Sequence, residues 1–96
     1  MAIKVEIYTR SNCAYCRHAK ELLRIKGVDF VEHDITNDLL LAAEMRLRSQ
    51  RSDVPEIFVN DVLVGGCNEL FDLDERGQLD GMLGLDLPYG PTFQPA

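Results

Sequence analysis

The chain has 96 residues, 46% hydrophobic and 27% charged, with a formal net charge of -6, so a small soluble globular fold is expected. An acidic chain without a basic stripe and interleaved aromatics excludes a nucleic-acid binder, and no apolar run is long enough to span a bilayer. Three cysteines, an odd number, exclude a closed disulfide framework, and the alternating start Met-Ala-Ile-Lys-Val-Glu does not read as a signal peptide. A reducing cytoplasm is the expected location.

Ile3 to Tyr8 alternates strictly and predicts a strand. Cys13 to Lys26 predicts a helix with Cys16, Ala19, Leu22 and Leu23 on one face and Gly27 as its stop. Val28 to Ile35 predicts a second strand, with Val28 and Phe30 opposite Val31 and Ile35 in the pleat. Strand–helix–strand in this length implies a right-handed crossover and parallel pairing. Thr36 or Asn37 is expected to cap a second helix over Asp38 to Ser49, presenting Leu41 and Met45 together. Ile57–Val59 and Val62–Val64 predict a third and a fourth strand, antiparallel across the two-residue turn Asn60-Asp61. Gly65-Gly66 ends the fourth strand and admits close backbone approach. Glu69 to Arg76 predicts a third helix with Leu70, Phe71 and Leu73 inward and Gly77 as its stop, and a short helix around Leu79 to Leu83 follows. One domain over residues 1–84 is expected, with residues 85–96, which hold three of the four prolines, as a loosely ordered tail.

Cys13-Ala14-Tyr15-Cys16 is the stretch that carries chemistry. A Cys-x-x-Cys between a strand and a helix reads as a redox site. Unpaired N–H groups at the helix start and the macrodipole favour negative charge there. The first cysteine can then exist partly as thiolate, the nucleophile of disulfide exchange, and the second lies within reach to close an internal disulfide. Residues 1–26 hold six Lys/Arg and two Glu, and Arg10 and Arg17 stand close enough in sequence to favour that thiolate. Lys20 and Arg24 read as a solvated helix face. A zinc site needs further ligands, and only Cys67, His18 and His33 remain, none at partner spacing. His18 reads as a solvated residue and His33 as a structural one.

Taken in order, Tyr8-Thr9-Arg10-Ser11-Asn12-Cys13-Ala14-Tyr15-Cys16, Val54-Pro55, Ile57-Phe58-Val59-Asn60, Gly65-Gly66-Cys67-Asn68 and Leu73-Asp74-Glu75-Arg76-Gly77 resemble the glutaredoxin family, the bacterial dithiol members most of all. The resemblance covers residues 3 to about 83 and implies a thioredoxin-like α/β fold: a four-stranded mixed sheet in order 2-1-3-4, flanked by helices. It also implies glutathione as electron donor and disulfide-containing or glutathionylated proteins as partners; a monomer is expected. Cys13 would be the nucleophile and Cys16 the resolving thiol. Tyr15 would line the groove over the mixed disulfide. Val54-Pro55 matches the family's Val-Pro with a cis bond, where the Val54 backbone would pair with the glutathione cysteine. The N–H groups of Gly66, Cys67 and Asn68 would receive the γ-glutamyl carboxylate. Arg10 would face the glycine carboxylate, with Arg51 assisting.

Four residues depart from the family's pattern. Ala14 stands for the commonest Pro, Asp53 for Thr, Glu56 for Gln or Arg, and Asn68 for Asp. The last three imply a weaker hold on glutathione, with Glu56 setting a carboxylate near an anionic ligand. No resident metal is expected. Rival readings are a dimer holding a [2Fe–2S] cluster through Cys13 and glutathione, and a thioredoxin-like reductant served by a flavoprotein reductase. Against the second, the chain has no Trp and no Gly-Pro between the cysteines.

Overall fold

The computed structural model describes residues 3–85. The expected tail lies, from residue 86 onward, outside the described residues. The elements are β1 (Val5–Thr9), α1 (Ala14–Ile25), β2 (Val31–Asp34), α2 (Leu39–Ser49), β3 (Glu56–Val59), β4 (Val62–Gly65), α3 (Cys67–Glu75) and α4 (Leu79–Met82). The sheet order is β2-β1-β3-β4, with β1 and β2 parallel and both other pairs antiparallel. The β3–β4 turn carries positive φ at Asn60 and Asp61, the conformation a two-residue hairpin needs. Among the described residues no helix is long and apolar enough to cross a membrane.

Two helical layers cover the sheet. Val5 and Ile7 of β1 and Ile57 and Val59 of β3 join Ala19, Leu22, Leu23, Leu70 and Leu79 in one core cluster. On the other face Tyr8 and Phe58 meet Ile35 and Met45, with Leu41 packed against them. The alternation of β1 therefore does not mark a wet face, for all five of its residues are buried. The polar residue on the α2 side, Glu6, is taken up by a bidentate bond from Arg48 of α2, at 2.9 and 3.1 Å. The same guanidinium reaches the Tyr8 hydroxyl at 2.7 Å and lies 4.0 Å from the Phe58 ring centroid. Bonds from Arg48, then from His33, outweigh burial and hold the Glu6 carboxyl down at about 2.

Several predicted boundaries shift for physical reasons. Asp38, not Thr36 or Asn37, caps α2 by accepting the Leu41 N–H at 3.0 Å. Thr36 is engaged elsewhere: its N–H donates to Asp34 Oδ1 at 2.9 Å, and its hydroxyl accepts the Ser11 N–H at 2.8 Å. That bond ties the end of β2 to the loop that carries the cysteines. β2 is shorter than expected, because Val28 and Phe30 pack on the core from the preceding turn rather than from the sheet. Gly27, at φ 75, does terminate α1, its N–H bonding the Arg24 carbonyl at 2.9 Å. Phe71 was expected to point inward but is 41% exposed, while Leu70 beside it is fully buried.

Arg48→Ala is expected to cost about 2–3 kcal/mol, because it strands a buried carboxylate. A lower urea midpoint at unchanged slope reads this out. The folded Glu6 value of about 2 lies below its ordinary 4.5, so its contribution is present above about pH 4.5 and lost as the pH falls through about 2. The cost of Arg48→Ala should shrink over the same window. A variant as stable as the parent at neutral pH would disprove the role given to this ion pair.

Candidate active site

β1 ends at Thr9, and the loop Arg10 to Asn12 delivers the chain to the start of α1. Asn12 takes positive φ, 59°, as an Asn tolerates. Cys13 is the N-cap of α1, with extended backbone, and its Sγ accepts the Cys16 N–H at 3.1 Å. One of the orphan donors at the helix start is therefore aimed at this sulfur. Cys13 is half-buried, whereas Cys16, one turn on, is 1% exposed on the stripe that holds Ala19, Leu22 and Leu23. Burial, then the bond to Cys13, pushes the Cys16 thiol up to about 12. All three cysteines are thiols.

Beside the cysteines lies a groove of about 240 Å³, lined by Tyr15, Arg51, Asp53, Val54, Pro55, Gly66, Cys67, Asn68 and Glu69. It brings together seven of the residues expected to bind glutathione, with Asp53 and Glu69 beside them. Tyr15, 61% exposed, overhangs one side. The Val54-Pro55 bond is cis. Arg51 is set in place from the end of α2: its N–H donates to the buried Ser49 hydroxyl at 3.0 Å, and that hydroxyl donates to the Met45 carbonyl at 2.7 Å. Arg10 is exposed and does not line the groove. Cys67 is 8% exposed; its thiol is raised by burial first and then by the charge of nearby Cys13.

α3 begins two residues earlier than its periodicity suggested, with Gly66 as N-cap. The Gly66 N–H, expected among the donors to a ligand carboxylate, donates here to Glu69 Oε1 at 2.6 Å. Cys67 and Asn68, the first two residues inside α3, remain as donors. Glu69 is a groove residue that the sequence reading missed. Gly followed three residues later by Glu, ahead of Leu70, was the signal that could have found it. The glycine before the cap is required: at Gly65 φ is 122°, and a Cβ there would meet Glu69 Cγ at 2.9 Å.

Glu56, expected to set a carboxylate near an anionic ligand, is not itself among the lining residues. It lies beneath the groove, fully buried, with Arg51 Nη1 3.7 Å from its Oε1. The groove's charge is thus one guanidinium among Asp53, Glu69 and the buried Glu56.

A half-buried thiol at a helix start, a buried thiol one turn on and an adjoining cleft form a site for thiol–disulfide exchange. Comparison with known proteins agrees. The glutaredoxin family model matches residues 5–64. Glutaredoxin 3 of Escherichia coli is 48% identical over 79 residues, 82% of this chain and 95% of that one. A probable glutaredoxin of Synechocystis is 51% identical over 81 residues, 83% of this chain and 74% of its own. The solution structure of the glutaredoxin from Brucella melitensis superimposes with a TM-score of 0.77 at 45% identity, covering 88% of this chain and 91% of that one. The chain belongs to the glutaredoxin family, with its thioredoxin-like fold, and is a thiol–disulfide oxidoreductase.

The burial of the three thiols gives a direct expectation. Brief treatment with iodoacetamide near neutral pH should label Cys13 first, with Cys16 and Cys67 protected until the protein is unfolded. Peptide mass spectrometry assigns the label. Equal early labelling of Cys16 would contradict the buried position given to it.

Proposed function

We propose that this protein is a dithiol glutaredoxin that takes its electrons from glutathione. The observation that carries the reading is the half-buried Cys13 at a helix start beside a groove that offers a cis-proline backbone and open helix donors. Val54 would pair its backbone with the cysteine of glutathione in the manner of an added strand. The N–H groups of Cys67 and Asn68 would take the γ-glutamyl carboxylate, where the dipole of α3 favours negative charge. Tyr15 would cover the sulfurs, and Arg51 would meet a carboxylate. Arg10, outside the groove, would add only long-range attraction.

In the first route the Cys13 thiolate attacks the glutathione sulfur of a protein–glutathione mixed disulfide. The protein leaves as thiolate and takes up a proton. A glutathione thiolate then attacks the glutathione sulfur on Cys13, releasing oxidised glutathione and restoring the Cys13 thiolate. In the second route Cys13 attacks a protein disulfide, and Cys16 loses its proton, attacks Cys13 and expels the protein thiolate. The high Cys16 value fits this order. Part of it comes from the hydrogen bond and charge of Cys13, and both vanish once Cys13 is bound in a mixed disulfide. Cys16 then becomes easier to ionise just when it is needed.

A coupled assay tests the electron donor: a mixed disulfide with glutathione, glutathione reductase and NADPH, run beside thioredoxin reductase with NADPH. Turnover is expected only in the first. Turnover with thioredoxin reductase alone sinks the glutathione reading.

Cys13→Ser should abolish every activity. Cys16→Ser should keep reduction of glutathione mixed disulfides and lose most reduction of protein disulfides. Appreciable turnover by Cys13→Ser overturns the assignment of the nucleophile.

Asn68→Asp tests the groove. A bond to a charged acceptor contributes about 1.5–3 kcal/mol against about 1 for a neutral one, so the gain is on the order of 1 kcal/mol, a several-fold fall in the glutathione concentration for half-maximal rate. The Asp of the family's pattern would pair its side chain with the ligand's ammonium group, and an unchanged concentration counts against such a role for the side chain at position 68.

A further inference from the structure

Glu56 follows the cis proline and opens β3, 0% exposed. No N–H or hydroxyl group among the described residues donates to either of its carboxyl oxygens, and the Asp53 carboxyl beside it favours its protonated form. Arg51 Nη1 stands 3.7 Å from Glu56 Oε1 and equally 3.7 Å from Glu69 Oε1. The Glu69 oxygen is already the acceptor of the Gly66 N–H. One guanidinium in the groove wall is therefore shared between a carboxyl at the rim and a carboxyl underneath.

We propose, resting on the glutathione reading above, that Glu56 is a positioning residue: from beneath the groove it competes with a ligand carboxylate for the Arg51 guanidinium, and so sets how tightly anionic compounds of the glutathione class are held. The physical reason is the state of Glu56 itself. A buried carboxylate without hydrogen bonds is costly to keep ionised, and it must either draw a cation to it or take a proton. Arg51 is the cation on hand. When Glu56 is neutral, Arg51 is shared only between Glu69 and the ligand. When Glu56 is ionised, it takes a share of Arg51 and adds a negative charge beneath the ligand.

The groups that face Glu56 agree with this. The loop before β3 brings Arg51 and Asp53, and α3 brings Glu69. β1 brings Tyr8, the register partner of Glu56, and burial pushes that phenol up to about 12, so it stays neutral. α2, on the same face, carries Glu44 and Arg48, both bonded to the Tyr8 hydroxyl, with Arg48 also held by Glu6. Burial first, then Asp53, pushes the Glu56 carboxyl up to about 7, with Arg51 opposing. Glu56 is accordingly neutral below that pH and ionised above it. Affinity for an anionic ligand falls as the pH rises. Glu56→Gln, similar in shape and uncharged, should hold the ligand throughout as the parent does at low pH.

The probe is S-methylglutathione, which has no thiol to titrate, added to the full chain and followed by backbone amide shifts. From about pH 6 to about pH 8 the Kd of the parent should rise roughly three- to fivefold, the upper range for a partly exposed ion pair, and that of Glu56→Gln by less than roughly 1.5-fold. Parallel profiles for the two proteins overturn the proposal. If the probe binds at neither pH, the glutathione reading fails, and the free parent protein decides the role of Glu56. An Arg51 Nε shift that moves with the Glu56 carboxyl titration supports the positioning role, and an Arg51 signal indifferent to that titration refutes it. The same measurement decides the matter if Glu56→Gln does not fold.

Discussion

β1 is buried on both faces, and the position of the cysteines follows from that. A strand covered by α1 and α3 on one side and by α2 on the other has little freedom to slide or tilt. Its C-terminal end, Thr9, is held from the side as well, its hydroxyl donating to Glu32 at 2.7 Å while Glu32 takes Lys20 of α1 at 2.9 Å. The loop that follows is bonded to Thr36 at the far end of β2. Cys13 therefore emerges from a fixed point, and α1 starts in a fixed direction. The acid in the middle of this strand, Glu6, is tolerated because Arg48 reaches it from α2 with two parallel bonds.

A single helix start then makes two unlike thiols out of two cysteines. Position along the helix decides it: the N-cap side chain projects past the first turn, while the residue three further on falls on the apolar stripe. Cys13 is left accessible with a main-chain donor aimed at its sulfur. Cys16 is enclosed, and its charge is disfavoured by burial and by its neighbour. Spacing, a main-chain donor and burial thus give two unlike thiols, the asymmetry that the proposed exchange, with one thiol attacking and one waiting, would use.

The groove shows a different economy of charge. It opens onto a helix N-terminus, which favours anions, yet Asp53 and Glu69 line it and Glu56 lies below. Glu69 closes part of that helix end by accepting the Gly66 N–H, a local cap of the kind that stabilises a helix at the expense of a ligand donor. Gly65 makes this possible, since any side chain there would strike Glu69. Arg51, fixed through Ser49, is the positive group set among these acids. On the reading proposed above, an anion that enters this groove would meet main-chain donors and a guanidinium that stands 3.7 Å from both Glu56 and Glu69.

Much of this was legible in the sequence. Alternation, helical spacing, Gly27 and the Asn60-Asp61 turn act locally, so the order of elements and the antiparallel hairpin could be read from neighbouring residues. Cys13 as the first residue at a helix start and Cys16 on its inward face were likewise consequences of spacing, and the cis Val54-Pro55 bond was marked by its motif. What failed to show depended on residues distant in the chain. Asp38 displaced Thr36 as a cap because Thr36 was drawn to Asp34 and Ser11. The polar alternation of β1 hid a second buried face, since Arg48, forty-two residues away, neutralises Glu6. Glu56 and Glu69 sit thirteen residues apart, and no periodicity could reveal that both lie 3.7 Å from the Arg51 guanidinium. Local geometry wrote the elements and the thiol pair; the closure of the sheet between its helices decided which charges met, and so the electrostatics of the groove.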